Sequence, residues 1–252
     1  MSVEIELSRD GRVQTWWLAR PQARNAISLE MWQQLHDAAT SLSSTVRVVV
    51  IRGRGEHFSA GADITALGRT LAADHEGSSY RAVNASAEAA IAGLPVPTVA
   101  AINGYCMGGA VQLALACDIR VATFDAQFAV TPAKIGIVYP ASALQRLVAM
   151  VGPSAASELL LTAETVDATR AYEIGLVSRV VSDLDEAVRD LVNSLLARSP
   201  FTQRASKSII RTLIDSVDVE ELGRNFESAS LVNNDLSEGL AAFREKRDPR
   251  FE

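Results

Sequence analysis

Val3–Leu7 alternates apolar and polar residues, the two-residue period of a half-buried strand. Asp10–Gly11 is a hairpin signal, and Val13–Leu18 reads as the returning strand, ended by Pro21. Ser28 stands where a cap would start a helix carrying Met31, Leu35, Ala38 and Leu42 on one face. Val46–Ile51 is short, apolar and β-branched, which predicts a buried strand. A helix follows over Tyr80–Ala92, then a second buried strand over Thr98–Ile102 behind Pro95 and Pro97. Ala110–Cys117 reads as a buried helix, and Ile119–Ala122 and Gln127–Val130 as short strands around a turn at Asp125. Beyond about Ala141 the pattern is helical: Ala143–Val151, Ser154–Leu161, Ala168–Ile174, Leu184–Arg198, Thr202–Leu213, Val219–Val232 and Leu236–Lys246. One strand, Val177–Val181, interrupts that series.

Alternating strands and helices imply an α/β layered core with mainly parallel strands. The helical tail reads as a separate layer or an oligomerisation element. Length allows all of this in one unit, since 252 residues is within the range of single α/β domains. With 48% hydrophobic and 21% charged residues, a disordered chain is excluded. The net charge of −6 argues against general binding to nucleic acid or anionic membranes. Two cysteines, Cys106 and Cys117, make neither a disulfide framework nor a four-cysteine metal site, and read as buried, reduced and inert. The acidic, alternating start is unlike a signal or transit peptide. No apolar run reaches the roughly 18 residues of a membrane span. A cytoplasmic location is expected.

Familiar catalytic patterns are missing: there is no G-x-S-x-G elbow, P-loop or dinucleotide fingerprint. His36, His57 and His75 lack metal-ligand spacing, although His57 directly precedes a glycine-rich loop. Two segments each run from an apolar strand through small residues to a helix start. One is Phe58-Ser59-Ala60-Gly61-Ala62-Asp63-Ile64, and the other is Gly104-Tyr105-Cys106-Met107-Gly108-Gly109-Ala110. Small residues let a ligand approach the backbone, and free N–H groups at a helix start attract negative charge. Facing one another, two such junctions would form an oxyanion hole from main chain alone. Spacing by itself favours ordinary tight turns with small residues for packing.

The first of these segments, Phe58–Ile64, and Ile102-Asn-Gly-Tyr-Cys-Met-Gly-Gly109, which overlaps the second, resemble the signatures of the enoyl-CoA hydratase/isomerase (crotonase) superfamily. The likeness extends to Pro21-Gln-Ala-Arg-Asn-Ala26, Ala116-Cys-Asp-Ile119, Ile174-Gly-Leu-Val177 and Phe243-Arg-Glu-Lys-Arg-Asp-Pro249. It implies an α/β spiral of ββα units with a C-terminal helical trimerisation region, divided here as a core over residues 1–198 and an oligomerisation region over 199–252. It also implies an acyl-CoA substrate and a homotrimer or homohexamer. The N–H groups of Ala62 and Gly109 are then expected to hold the thioester carbonyl. Ala60, Asp63 and Ile64 are expected along the adenine and pantetheine, Arg24 at the phosphates, and Phe243 and Lys246 against coenzyme A from the tail. Coenzyme A arrives as part of the substrate, so no separate cofactor and no metal are expected.

The chain departs from the hydratases of that family where their two glutamates stand. Gln112 occupies the first position and Pro132 the second, the register being held by Phe128, Lys134 and Gly136. Neither an amide nor a proline exchanges a proton as a carboxyl does. Tyr139 stands where a proline is usual, which resembles the methylmalonyl-CoA decarboxylase branch. There a tyrosine orients the departing carboxylate, although that branch carries a histidine where this chain has Ala62. The expectation is therefore a lyase of decarboxylase type that stabilises a thioester enolate, with Tyr139 and Gln112 in the site. The other readings are a hydratase or isomerase with an acid/base group from elsewhere, and a silent CoA-binding subunit. Tyr139 as a core aromatic and Gln112 as a packed helix residue also remain open. Asp63 and Asp118 read as structural or CoA-placing. Lys134 reads as a solvated charge at a strand end, and Ser142 and Lys207 have no partner visible in the sequence.

Overall fold

Strand β1 (Ser2–Leu7) turns into β2 (Val13–Ala19), and the two pair antiparallel, Leu7 opposite Gln14. The connection is the five residues 8–12, not a two-residue turn at Asp10–Gly11. Ser8 holds it: its hydroxyl donates to the Asp10 carboxylate and accepts from the Val13 N–H. The computed structural model describes residues 2–63, 78–135 and 138–214, together with Glu238, Ala242, Glu245, Arg247 and Arg250. Ile64, Phe243, Lys246, His75 and the expected helix Val219–Val232 lie outside the described residues. Of the expected helix Leu236–Lys246, Glu238, Ala242 and Glu245 are described, and they are helical.

Helix α1 (Leu29–Thr40) begins at Ser28, whose hydroxyl accepts the Met31 N–H. Its apolar face buries Met31, Trp32, Leu35 and Ala38. Strand β3 (Val48–Gly53) follows, then α2 (Ser78–Ala92), β4 (Thr98–Ile102), β5 (Tyr105–Met107) and α3 (Gly109–Ala116). Next come β6 (Ile119–Thr123), β7 (Gln127–Ala129), the one-turn α4 (Pro132–Ile135) and the long α5 (Ala141–Thr162). The chain continues through β8 (Val166–Asp167), α6 (Ala168–Glu173), β9 (Arg179–Val181), α7 (Leu184–Leu196) and α8 (Pro200–Ile214).

The main sheet has the order β1-β2-β3-β4-β6-β9, parallel from β2 onward. A smaller sheet, β5-β7-β8, stands beside it. Burial on both faces explains why Val48–Ile51 is apolar at every position. Val49 and Ile51 join one cluster with Trp16, Trp32 and Leu113, while Val48 and Val50 join another with Val188 and Leu191 of α7. Each face of the sheet therefore has its own helical cover, as parallel strands require.

Two further expectations change. Tyr105–Met107 is a strand, too short to carry a periodic signal, paired with β7. Lys134 lies not at a strand end but in α4, where Pro132 opens a helical turn and the Lys134 N–H donates to the Thr131 carbonyl. The two helices expected before and after Gly152 are there. Gly152, at φ 76 and ψ 164, breaks the ladder inside α5 just ahead of Pro153.

Candidate active site

Three segments that look like loops are joined by backbone hydrogen bonds into a short ladder. Phe58 N donates to Asn103 O, Ser59 N to Tyr105 O, and Met107 N back to Ser59 O. On the other side Ala60 N donates to Arg24 O, Ile27 N to Gly61 O, and Asp63 N to Ile27 O. In an extended chain successive N–H groups point to opposite sides. Gly61 O and Asp63 N both meet Ile27, so the N–H of Ala62 points away from Ile27.

It points toward Gly109. A methyl group placed on Gly109 would lie 3.3 Å from Ala62 N, and one placed on Gly61 would lie 3.3 Å from Gly109 N. Gly109 is the first residue of α3, so no helical carbonyl can take its N–H. Neither N–H meets a protein acceptor among the described residues. Two main-chain donors thus converge at a helix start, and the nearby positive end of the helix adds to their pull on an anion. The two site residues expected to act through the backbone are together.

Asn25 fixes the first loop, a role that nothing in its local sequence marks. It is fully buried at φ 54, accepts the Arg20 N–H, and donates to the carbonyls of Arg54 and His57. Asn tolerates this left-handed backbone better than most residues do. The Ser59 hydroxyl donates to Asn25 O and accepts the Gly61 N–H. Asp63 pairs with Arg20 at 3.1 Å. Ala60 is half-buried and tied to Arg24 O, while the exposed guanidinium of Arg24 lies 5.5 Å from the centre of the Tyr105 ring. His57 stacks on that same ring, 4.4 Å between centroids, and its Nδ1 accepts the Tyr105 N–H at 3.3 Å.

Gln112, one turn into α3, is buried with its Oε1 3.6 Å from a methyl placed on Gly109. Tyr139 is also buried, and its hydroxyl donates to Gly108 O at 3.1 Å. Burial holds the phenol well above its ordinary pKa of 10, so it stays protonated. Its one hydrogen is spent on the peptide that ends in the Gly109 N–H, so Tyr139 braces the oxyanion loop. The Asp118 carboxylate binds Thr98 N, the Thr98 hydroxyl and Lys207 Nζ, which gives both Asp118 and Lys207 structural partners. Cys106 and Cys117 are buried, and burial pushes the Cys117 thiol up to about 12.

The face of α2 turned into the core holds the residue that sequence reasoning missed. Glu88 is fully buried, paired with Arg146 Nη1 of α5 at 3.0 Å. Burial pushes its carboxyl up to about 7, against the opposing pull of Arg146. One turn earlier Asn84 is buried, and another turn earlier the Tyr80 hydroxyl accepts the indole N–H of Trp32. A glutamate inside an otherwise Ala-rich helix (residues 85–92 read ASAEAAIA) was the available signal.

The model of the family described as enoyl-CoA hydratase/isomerase matches residues 9–252. The chain is 34% identical over 257 residues to the 2,3-dehydroadipyl-CoA hydratase of Escherichia coli, covering 98% of each chain. It is 33% identical over 267 residues to the peroxisomal Delta(3,5)-Delta(2,4)-dienoyl-CoA isomerase of Arabidopsis thaliana, covering 98% of this chain and 95% of that one. A crystal structure of an enoyl-CoA hydratase/isomerase family protein from Hyphomonas neptunium superposes with a TM-score of 0.94 at 33% identity, covering 100% of this chain and 98% of the other.

Gly61, at φ 94, would drive a methyl group into the Met107 carbonyl. Gly61→Ala should therefore lower stability by at least about 2 kcal/mol in urea unfolding, because strained backbone and overlap add. An unchanged midpoint would show that the two loops are not pressed together here. Glu88 gives a pH signature. Its folded pKa of about 7 lies above the ordinary 4.5, so the folded state keeps a proton that the unfolded chain releases. That contribution is fully present below about pH 4.5 and is lost as pH rises toward 7, on the order of 3 kcal/mol in all. Unfolding curves across this window should be flatter for Glu88→Gln than for the wild type; parallel profiles would mean that Glu88 is ionised throughout.

Proposed function

The chain belongs to the enoyl-CoA hydratase/isomerase family, and from that premise we propose that it binds an acyl-CoA thioester and stabilises its enolate between the N–H groups of Ala62 and Gly109. The observation that carries this reading is the convergence of those two unpaired donors at the start of α3. When a thioester becomes an enolate, negative charge gathers on the former carbonyl oxygen. Donors fixed in advance by the surrounding ladder need no reorganisation to meet it. Arg24, Ala60 and Asp63, with Ile64, Phe243 and Lys246, are proposed to line the coenzyme A moiety, which serves as the substrate's handle without a separate cofactor.

For the reaction we propose a lyase of decarboxylase type. The support is chemical: Gln112 and Pro132 stand at the positions where hydratases of the family would carry carboxyls, and loss of CO2 generates an enolate without a base. Tyr139 can support this role only by rotating its hydroxyl away from Gly108. A second reading, hydration or double-bond isomerisation with the acid/base group elsewhere in the chain, is favoured by the hydratase and isomerase names of the relatives. The helical region from residue 199 onward is proposed to assemble the chain into a homotrimer or homohexamer.

Gly109→Pro deletes one donor at a first helical position, where proline is well tolerated. Turnover should fall by about 10²–10³ with the fold intact; a folded variant with wild-type turnover would remove the oxyanion assignment. Mass-spectrometric assay of crotonyl-, malonyl- and methylmalonyl-CoA should show CO2 loss from a malonyl-type ester, slowed in Tyr139→Phe, and little hydration of the crotonyl ester. Brisk hydration would replace the decarboxylase reading with the second one. Binding without any turnover would leave a silent CoA-binding subunit.

A further inference from the structure

Tyr80, Asn84 and Glu88 recur every fourth residue and so form one row along α2. Both ends of this row connect to the oxyanion site. At one end the Tyr80 hydroxyl accepts from Trp32 Nε1, and Cζ2 of that indole lies 3.6 Å from a methyl placed on Gly109. Tyr80 also senses the charge of Asp63, next to Ala62. At the other end Glu88 adds electrostatically to the raised pKa of Tyr139, whose hydroxyl is bound to Gly108 O. Between these anchors Asn84 Nδ2 and Glu88 Oε1 are buried with no hydrogen-bond partner among the described residues. A donor and an acceptor one turn apart on the same row, both unpaired in the interior, suit a polar ligand better than a packing role.

We propose that Glu88 is the proton-transfer group for the α-carbon of the bound thioester, with Arg146 holding its carboxylate form. The proposal rests on the reading of Ala62 and Gly109 as the thioester site. In the protonating direction the Glu88 O–H bond breaks and a C–H bond forms at the α-carbon. The electron pair of the enolate double bond enters that new bond, the thioester carbonyl is restored, and the negative charge moves to Glu88, where Arg146 meets it. In the reverse step the Glu88 carboxylate takes an α-proton, the C–H pair becomes the carbon–carbon double bond, and the carbonyl π pair moves onto the oxygen. This one group supplies the proton that a decarboxylated enolate needs, and it equally serves a double-bond shift. Among the described residues, the charged or titratable groups around it are few: Arg146 from α5, Tyr139 ahead of α5, and Tyr80 on its own helix. Helix α3 (GAVQLALA) brings none, and His36 of α1 meets Ser86 instead.

The step is visible without knowing the natural acyl group. Butyryl-CoA in D2O reports α-proton exchange by mass, while calorimetry reports its binding. Wild-type protein should bind and exchange, with a rate that rises with pH through about 7 as Glu88 ionises. Glu88→Gln should bind yet exchange about 10²–10⁴-fold more slowly. Glu88→Asp, which keeps a carboxyl one methylene shorter, should retain more exchange than Glu88→Gln. A merely structural role predicts the opposite order, because Gln preserves volume. Exchange in Glu88→Gln at the wild-type rate, or a wild type that binds butyryl-CoA without exchange, overturns the role of Glu88 and leaves the thioester site standing. Absence of binding by the wild type overturns the thioester site and this proposal with it.

Discussion

The hydrogen-bonded ladder that joins residues 24–27, 58–63 and 103–107 is the constraint on which the site depends. Its rungs run from Ala60 N to Arg24 O, from Ser59 N to Tyr105 O and from Asp63 N to Ile27 O. They convert three connecting segments into strand-like backbone of fixed direction. Once Ile27 takes the groups on both sides of Ala62, the Ala62 N–H has only one way to point. The second ladder edge fixes Met107, and two residues later the helix begins with the free N–H of Gly109. Both donors belong to the main chain, and side chains act only on the loops that carry them. Their placement is a property of the main chain and its hydrogen bonds.

Glycine and asparagine make that ladder possible at specific points. Gly61 must lie against the Met107 carbonyl, and any side chain there would separate the loops. Asn25, with its left-handed backbone, spends both ends of its amide on the carbonyls and the N–H of adjoining segments. Tyr139 then fastens Gly108 from the opposite side. A net contribution of about 1 kcal/mol per hydrogen bond is ordinary, but leaving any of these buried groups unpaired costs more. The site is therefore held by several modest interactions that share the same few peptides.

Much of this was legible in the sequence, for physical reasons. The buried strands Val48–Gly53 and Thr98–Ile102 show as apolar runs because each is covered on both faces. Ser28 marks its helix because a capping hydroxyl sits outside the periodic pattern. The small residues around Ala62 and Gly109 show because close backbone approach excludes larger ones. Tyr105–Met107 was not legible as a strand, since three residues carry no period. The partners of Lys207 were hidden for another reason: Asp118 and Val96 are far from it along the chain. The same distance hid Arg146 from Glu88, 58 residues apart, so nothing local marked that glutamate as more than a polar break in an alanine-rich helix.

The ion pairs of this protein differ in a way that bears on chemistry. Asp118 directs one oxygen at an N–H, a hydroxyl and an ammonium, and its side chain keeps 31% of its exposure. Asp63, paired with Arg20, keeps 23%. Water reaches both carboxylates, so charge is cheaply sustained there. Glu88 keeps none, and Arg146 contacts only one of its oxygens. A single partner in the interior does not fully offset the loss of hydration, and the carboxyl settles near neutrality instead of remaining ionised. Packing alone is poorly served by such a group, since an aliphatic or amide side chain would fill the same volume at less cost. A proton donor and acceptor is well served by it, because a carboxyl poised near 7 can hold either state at little free-energy difference. The arginine then acts on one state only, stabilising the carboxylate left after the proton has gone.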